Sequence, residues 1–167
     1  LTGARFILSA FSRAIFNANH KRKHRSAMTP IPIAIHGAAG RMGKRLIALT
    51  AVDPQLRLAA ALEAPGHPLL GDDAGTVAGV GELDVPLAAE LKTGVGVVVD
   101  FSLPAGTESI LAQCLDKKVP LVVATTGLSS GQTEALRVAA EKIPLLWAPN
   151  MSLAVNLTMK LSQMAAE

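Results

Sequence analysis

The pattern of apolar and polar residues alternates along the chain between the period of a strand and the period of a helix. Short apolar or β-branched runs predict strands at Ile31–Ile35, Leu56–Leu62, Val85–Leu87, a run from Val95, residues 120–127 and residues 143–150. Apolar residues at helical spacing predict helices at 42–52, 88–91, 110–118, 129–141 and from Leu153 to the end of the chain. The stretch from Ala64 to Gly81 is rich in Gly, Pro and Asp and predicts a loop.

Strands that alternate with helices indicate an α/β fold with a doubly wound parallel sheet of the Rossmann-like type. In such a sheet, ligands bind beyond the carboxyl ends of the strands. The residues that directly follow each strand are therefore the candidate ligand contacts.

A run of small residues, "GAAGRMG" at 37–43, follows the first predicted strand. Gly37 suits a tight turn, Gly40 lets a diphosphate approach the main chain, and Gly43 lets the helix pack close to the strand. The start of the helix adds free N–H groups and the positive end of the helix dipole, which attract an anion. Ala38 replaces the first glycine of the common G-x-G-x-x-G pattern, so an ordinary strand-to-helix turn is the alternative.

An acidic residue, Glu63, follows about 20 residues after the glycine run, at the end of the second predicted strand. A carboxylate there can accept hydrogen bonds from the adenosine ribose, the alternative being a solvated surface glutamate. It would repel a 2′-phosphate about 4 Å away by roughly 1 kcal/mol in water and ~4 kcal/mol at an effective dielectric of about 20. The next residue is Ala64 rather than a compensating Arg, so NADH is expected to bind at least as well as NADPH.

Composition agrees with one domain of this class. Half of the 167 residues are apolar and only 3% are aromatic, so the core must consist of Val, Leu, Ile and Ala. The single cysteine, Cys114, lies on the apolar face of a predicted helix, which indicates a core residue and a reducing, cytoplasmic compartment. No Cys and His spacing suggests a metal site. His36 adjoins the glycine run without a visible partner and is interpreted as a loop residue or as a residue that supports the site from behind, rather than as a base.

Residues 1–27 differ from the rest of the chain in charge. They contain six Lys and Arg and no acid, so the formal net charge of +3 becomes −3 for the remainder. The chain begins at Leu1, and Met28 immediately precedes the first predicted strand. The segment is therefore interpreted as translated upstream sequence or an unstructured leader, with an Arg-rich transit peptide as the alternative. The basic charge then indicates no nucleic-acid partner, and the apolar run in this segment is too short to span a membrane.

Three further motifs follow later strands: "DFSLP" at 100–104, "ATTG" at 124–127 and "NMSLAVN" at 150–156. With "GAAGRMG" and Glu63, they make the chain from Ile31 onward resemble the cofactor domain of bacterial 4-hydroxy-tetrahydrodipicolinate reductase (dihydrodipicolinate reductase), of the diaminopimelate route to lysine. The resemblance implies an NADH- or NADPH-dependent oxidoreductase acting on a cyclic dicarboxylate, 4-hydroxy-tetrahydrodipicolinate, which it reduces to tetrahydrodipicolinate. It also implies a homotetramer.

The same resemblance assigns coenzyme contacts. Those expected at the pyrophosphate are Gly37, Ala38, Ala39, Gly40, Arg41 and Met42, with Glu63 at the adenosine ribose. Those expected along the nicotinamide ribose and ring are Phe101, Ala124, Thr125, Thr126 and Gly127. The segment expected to close over the nicotinamide is Ala148, Pro149, Asn150 and Met151, although the family usually has Phe where Met151 stands. Taken singly, Asp100, Thr125, Thr126 and Asn150 could also be cap or turn residues.

Family members bind substrate in a second domain through a motif of the form H-H-x-x-K-x-D-x-P-S-G-T, which these 167 residues lack. The expected division is a basic leader at 1–27, a dinucleotide-binding domain at 28–150 and the start of a hinge helix toward the substrate domain at 151–167. No catalytic residue is assigned to this chain, and little turnover is expected from it alone. The alternatives are another two-domain dehydrogenase, such as a homoserine or semialdehyde enzyme, and a non-catalytic redox sensor that uses the basic segment on an acidic partner.

Overall fold

The computed structural model describes residues 29–166, which form a six-stranded parallel sheet covered by helices on both faces. The strands are β1 (Ile31–His36), β2 (Leu56–Leu62), β3 (Leu87–Ala88), β4 (Val97–Asp100), β5 (Leu121–Val123) and β6 (Leu145–Trp147). The helices are α1 (Arg41–Val52), α2 (Ala74–Ala78), α3 (Pro104–Lys117), α4 (Ser130–Ala139) and α5 (Leu153–Ala166). The predicted fold class is confirmed, and the predicted leader at 1–27 lies outside the described residues.

The strand order across the sheet is β3-β2-β1-β4-β5-β6, and every neighbouring pair is parallel. The chain builds outward from β1 to β3, returns to place β4 against the other side of β1, and then builds outward in the opposite direction. The direction in which successive strands are added to the sheet therefore reverses between β1 and β4. In open parallel sheets, this switch point is where a ligand crevice opens beyond the carboxyl ends of the strands.

Side chains of β1 alternate between two aliphatic cores, as the period of two in a strand requires. Ile33 and Ile35 pack with α1 and α2 on one face, which we call the α1 core. Ala34 packs with α3 and α4 on the other face, which we call the α3 core. Cys114 is buried in the α3 core, where burial raises the pKa of its thiol to about 12, so its predicted role as a core residue is confirmed.

An irregularity in β2 decides which face its last residues occupy. Ile33 pairs with Leu58, but the next residue of β1, Ala34, pairs with Ala60, so β2 carries one extra residue. As a result Leu58 packs in the α1 core while Ala60, two positions later, packs in the α3 core. Glu63 then follows on the α1 side, beside the loop that enters α1.

Three predicted elements between β2 and β4 are wrong. The predicted loop at 64–81 contains the short helix α2, because Asp73 caps it by accepting a hydrogen bond from the Thr76 N–H. The predicted strand at 85–87 is displaced to β3, because the Val85 N–H donates to the Asp73 carboxylate instead of to a strand. The predicted helix at 88–91 does not form, because Ala88 belongs to β3 and its carbonyl accepts from the Glu63 N–H.

The helices toward the end of the chain follow the prediction more closely. α4 begins at the predicted capping box, in which Ser129 accepts from the Gln132 N–H and the Gln132 side chain accepts from the Ser129 N–H. α5 carries the predicted apolar stripe, but none of its residues is buried. Leu153, Leu157 and Leu161 are among its exposed apolar side chains.

The loop at 37–40 between β1 and α1, which we call the glycine loop, lies very close to α1. This close approach predicts the effect of adding a single methyl group. A Cβ atom on Gly43 would lie 2.6 Å from Ala38 Cα and 2.7 Å from its carbonyl oxygen, and nearer still to the Gly37 carbonyl. Because these are backbone atoms, Gly43→Ala should lower the free energy of unfolding by about 3 kcal/mol in urea titrations. Gly131→Ala in α4, where the nearest atom is 4.0 Å away, should be neutral or stabilising by up to about 1 kcal/mol. Equal effects of the two substitutions would contradict the packing described.

Candidate dinucleotide site

A pocket of about 440 Å³ opens at the switch point, between the carboxyl ends of β1, β2 and β4. Its walls are the glycine loop after β1, the end of β2 and the first turn of α3. Five of the residues predicted as coenzyme contacts line it: Gly37, Ala39, Gly40, Glu63 and Phe101. The structure thus brings the predicted pyrophosphate loop and the predicted ribose carboxylate to one cavity.

The glycine loop presents main-chain groups to the pocket, because the neighbouring backbone leaves no room for a side chain at Gly37. Gly37 has φ +75°, a left-handed conformation that favours glycine, and a Cβ atom there would lie 2.8 Å from the Phe101 carbonyl oxygen. Gly40 is the N-cap of α1, and within residues 29–166 no capping side chain accepts a hydrogen bond from the helix start. The first N–H groups of α1 are therefore left to an external acceptor.

The carboxylate of Glu63 is bound to the glycine loop. Its Oε1 atom accepts from the Ala39 N–H at 2.8 Å, and its Oε2 atom accepts from the Ala64 N–H at 3.3 Å. The alternative of a freely solvated surface glutamate is therefore wrong. A carboxylate has about four lone-pair sites, so two hydrogen bonds from the main chain leave room for hydroxyl donors of a ligand.

Below the pocket lies a fully buried carboxylate, that of Asp100. Its Oδ1 atom accepts from His36 Nδ1 at 2.9 Å and from the Ser102 N–H at 3.1 Å. Its Oδ2 atom accepts from the Thr107 hydroxyl at 2.6 Å and from the Thr125 hydroxyl at 3.0 Å. Burial by itself would raise the pKa of the Asp100 carboxyl, but the hydrogen bonds from His36, Ser102 and Thr107 outweigh it and hold the pKa below its ordinary value. Asp100 is therefore ionised at neutral pH.

Strand period and register explain why these side chains meet. His36 lies two positions after Ala34, and Asp100 two positions after Val98, so both fall on the α3 face of the sheet. The register of β1 against β4 pairs His36 directly with Asp100. Thr125 lies two positions after Val123, on the same face, and α3 brings Thr107 over it.

The loop interpretation of His36 and the N-cap alternative for Asp100 are therefore wrong. His36 is the last residue of β1, is only 6% exposed, and does have a partner. The other interpretation of His36, as a residue that supports the site, is not contradicted. Asp100 is not an N-cap, because Leu103 holds that position before α3. Both errors arise from treating the residues singly, whereas their positions on one face of paired strands carried the signal.

Comparison with known sequences gives a family. The sequence profile described as "Dihydrodipicolinate reductase, N-terminus" matches residues 31–151. The chain belongs to the dihydrodipicolinate reductase family. The family predicted from the five motifs is thus confirmed, and the alternative of a homoserine or semialdehyde enzyme is set aside.

Curated relatives of the family agree with this assignment. 4-Hydroxy-tetrahydrodipicolinate reductase of Rhodopirellula baltica is 44% identical over 143 residues, which cover 80% of this chain and 50% of the relative. The enzyme of the same name from Alkalilimnicola ehrlichii is 44% identical over 137 residues, which cover 80% of this chain and 51% of the relative. The chain thus spans about half the length of the curated reductases it matches.

Solved structures support the fold. The dipicolinate-bound dihydrodipicolinate reductase from Paenisporosarcina sp. TG-14 superposes with a TM-score of 0.64 at 24% identity, covering 83% of this chain and 54% of that chain. GenD2 from gentamicin A biosynthesis, in complex with NAD, superposes with a TM-score of 0.57 at 21% identity, covering 75% of this chain and 36% of that chain. At these identities, the likeness concerns the fold alone.

The remaining predicted contacts of this reductase-family chain lie outside the pocket. In the glycine loop, Ala38 is fully buried in the α1 core, while Arg41 and Met42 are exposed at the start of α1. After β5, Ala124 and Thr125 are buried, while Thr126 and Gly127 are exposed. After β6, Ala148 is half-buried and Pro149, Asn150 and Met151 are exposed. Asn150 accepts from the Ser152 N–H, as the turn-residue alternative expected.

These outlying residues continue the same sheet edge. The Ala124 N–H donates to the Asp100 carbonyl, and the Ala148 N–H donates to the Val123 carbonyl, which keeps both segments against the neighbouring strand ends. From β2 to β6 the edge crosses four strand spacings, roughly 19 Å. That length suits an extended ligand with two nucleotide halves.

Sequence reasoning did not assign several lining residues to the site. They are His36, the pair Ala64 and His67 after β2, and Ser102, Leu103, Ala105 and Gly106 at the start of α3. Among the described lining residues there is no Lys or Arg. Residues 29–166 also hold no cluster of three or more His, Cys, Asp or Glu suited to a metal ion. Within the same range, no helix has the length and apolar character needed to cross a membrane.

The buried carboxylate predicts a stability difference that depends on pH. Asp100→Asn should lower the free energy of unfolding by about 3 kcal/mol at pH 7, because an amide no longer offers four acceptor sites to buried donors. Since folding lowers the pKa of Asp100, the stabilisation is present above the ordinary value of 3.8 and is lost as the pH falls through the folded-state pKa. The deficit of the variant should therefore shrink in urea titrations below about pH 4. Asp116→Asn, at a side chain that is 78% exposed, is the control and should change stability by less than about 0.5 kcal/mol.

Proposed function

We propose that this chain is the coenzyme-binding half of a 4-hydroxy-tetrahydrodipicolinate reductase. Such an enzyme uses NADH or NADPH to reduce 4-hydroxy-tetrahydrodipicolinate to tetrahydrodipicolinate in the diaminopimelate route to lysine. The observation that carries the proposal is the pocket at the switch point, where free main-chain N–H groups adjoin the carboxylate of Glu63. Membership of the reductase family supports the same function.

The pyrophosphate fits the loop between β1 and α1. Its negative charge is favoured by the positive end of the α1 dipole and by helix-start N–H groups that no capping side chain of the described residues occupies. Gly40 is exposed at this point and leaves the main chain open to close approach. Together these groups stabilise the anion although no Lys or Arg is among the described lining residues.

The adenosine ribose fits beside Glu63. The two oxygens of this carboxylate already accept from main-chain N–H groups, so the carboxylate is held in place before a ligand arrives. Ribose hydroxyls can donate to its remaining lone pairs. A 2′-phosphate would bring two negative charges toward the same carboxylate, with Ala64 as the next residue.

The nicotinamide half would extend along the strand ends toward β5 and β6. When bound, the nicotinamide supplies a hydride to the unsaturated dicarboxylate substrate. The residues of this chain position it, from Phe101 through Thr126 to the segment around Asn150. A dicarboxylate needs cationic partners, which the pocket lacks, so we assign substrate binding to the half of the enzyme that these residues do not span.

The exposed helix α5 fits the position of a hinge toward that second half. Its apolar residues find no cover from the rest of residues 29–166. We further infer a cytoplasmic reaction, since the lone Cys114 forms no internal disulfide. A homotetrameric assembly remains a prediction from the family resemblance.

Coenzyme binding can be tested at the glycine loop. Gly40 has φ −71°, which every residue can adopt, and a Cβ atom there would lie 3.1 Å from one carbonyl oxygen. Gly40→Val should therefore leave the chain folded by circular dichroism but weaken NADH binding at least tenfold in titration calorimetry, because the side chain stands where the pyrophosphate must approach. Gly131→Ala in α4, outside the pocket and with the nearest atom 4.0 Å from the added Cβ, is the control and should leave NADH affinity unchanged. Unchanged NADH affinity in Gly40→Val would overturn the proposed site.

Coenzyme preference can be tested at the residue after Glu63. The unaltered chain should bind NADH at least as tightly as NADPH. Ala64→Arg should raise NADPH affinity about fivefold or more relative to NADH, because a guanidinium offsets the repulsion between Glu63 and the 2′-phosphate. Ala64→Gln, which is long but uncharged, is the matched control and should leave the ratio of the two dissociation constants within about twofold. A stronger preference for NADPH in the unaltered chain would contradict the assignment of Glu63.

A further inference from the structure

We propose that His36 is a coenzyme-contacting residue, whose Nε2 atom hydrogen-bonds to the adenosine diphosphate half of the dinucleotide while Asp100 holds the opposite side of the ring. The inference rests on the proposed coenzyme-binding function and adds a contact to it. Neither the glycine loop nor the carboxylate after β2 requires a histidine at this position.

The ring of His36 is held in one orientation. Its Nδ1 atom lies 2.9 Å from Asp100 Oδ1, and an ionised carboxylate can only accept hydrogen bonds. Nδ1 must therefore carry a hydrogen, which fixes the tautomer of the neutral ring and leaves Nε2 with a free lone pair. In the protonated ring, Nε2 becomes a donor instead.

The Nε2 atom of His36 faces the pocket. It has no hydrogen-bond partner among residues 29–166, although every fully buried side-chain nitrogen and oxygen in that range has one. Nε2 is therefore not fully buried. The side chain is only 7% exposed and it lines the pocket, so the pocket is where this exposure lies.

The small residue Gly106 leaves room for the His36 ring. A Cβ atom on Gly106 would lie 3.1 Å from His36 Cε1, so a larger residue there would press on the ring. On the other side, the chain turns at once into Gly37 and the glycine loop. The imidazole thus lies between the loop proposed for the pyrophosphate and the first turn of α3.

The position defines the chemistry that His36 can recognise. The neutral ring accepts from a ribose hydroxyl through Nε2, and the protonated ring donates to a phosphate oxygen. Both groups belong to the adenosine diphosphate half of the dinucleotide. Among the described residues, the other titratable groups at the pocket are Glu63 and His67 on the β2 side and Asp100 beneath the ring, and the first cation of α1 is the exposed Arg41.

Two amide substitutions test the contacts of Nδ1 and Nε2 separately. The amide nitrogen of Asn occupies about the place of Nδ1, whereas that of Gln reaches about as far as Nε2. His36→Asn should keep the bond to Asp100 and a melting temperature within a few degrees of the unaltered chain. It should weaken NADH binding by about three- to tenfold, the worth of one hydrogen bond, in titration calorimetry. His36→Gln should retain NADH affinity within about twofold while losing more stability.

Folded His36→Asn that binds NADH as tightly as the unaltered chain would overturn the inference. Should His36→Asn fail to fold by circular dichroism, His36→Leu, which has no nitrogen, replaces it in the comparison with His36→Gln. A loss of NADH affinity of threefold or more in His36→Leu but not in His36→Gln supports the contact, and equal affinities of the two variants overturn it. If the unaltered chain itself does not bind NADH, the proposed function fails, which is a different result from failure of the His36 contact alone. ADP and adenosine, titrated against His36→Asn, locate the contact. A loss for ADP only indicates the phosphate, a loss for both indicates the ribose, and no loss for either overturns the inference.

Discussion

The site depends on one constraint, the burial of an ionised carboxylate at the switch point between β1 and β4. An unpaired buried charge costs several kcal/mol, so Asp100 can remain ionised only if donors surround it. Those donors come from three other places in the chain: the end of β1, the segment after β5 and the first turns around α3. Satisfying one side chain therefore fixes the relative positions of the strand ends that form the floor of the pocket.

Close contact between backbones completes the same region. Gly37 passes next to the Phe101 carbonyl, and Gly43 packs against Gly37 and Ala38, so neither position has room for a side chain. The glycine loop is thus pressed between the end of β4 and the helix that follows it. A loop held this tightly presents its N–H groups in a fixed arrangement, which lowers the entropy cost of binding an anion.

The periodic parts of the structure could be predicted from the sequence, and the parts that depend on long-range pairing could not. The strands at Ile31 and Leu56, the capping box at Ser129 and the acidic residue at Glu63 all follow from local pattern. The extra residue in β2 could not be predicted, because it exists only in the register against β1. The partnership of His36 and Asp100 needs both the pairing of β1 with β4 and the burial of that pair. The short helix α2 depends on Asp73, whose carboxylate also binds the main chain ten and twelve residues later.

The burial of Cys114 has a practical consequence for attaching a fluorescent label that could report coenzyme binding. The sequence contains this single cysteine, and a thiol with a pKa near 12 supplies almost no thiolate at neutral pH. Maleimide reagents should therefore leave the native chain unmodified. A cysteine introduced at exposed Thr126 would be the only reactive thiol, so a fluorophore could be attached to the sheet edge beside β5 without first removing a native residue.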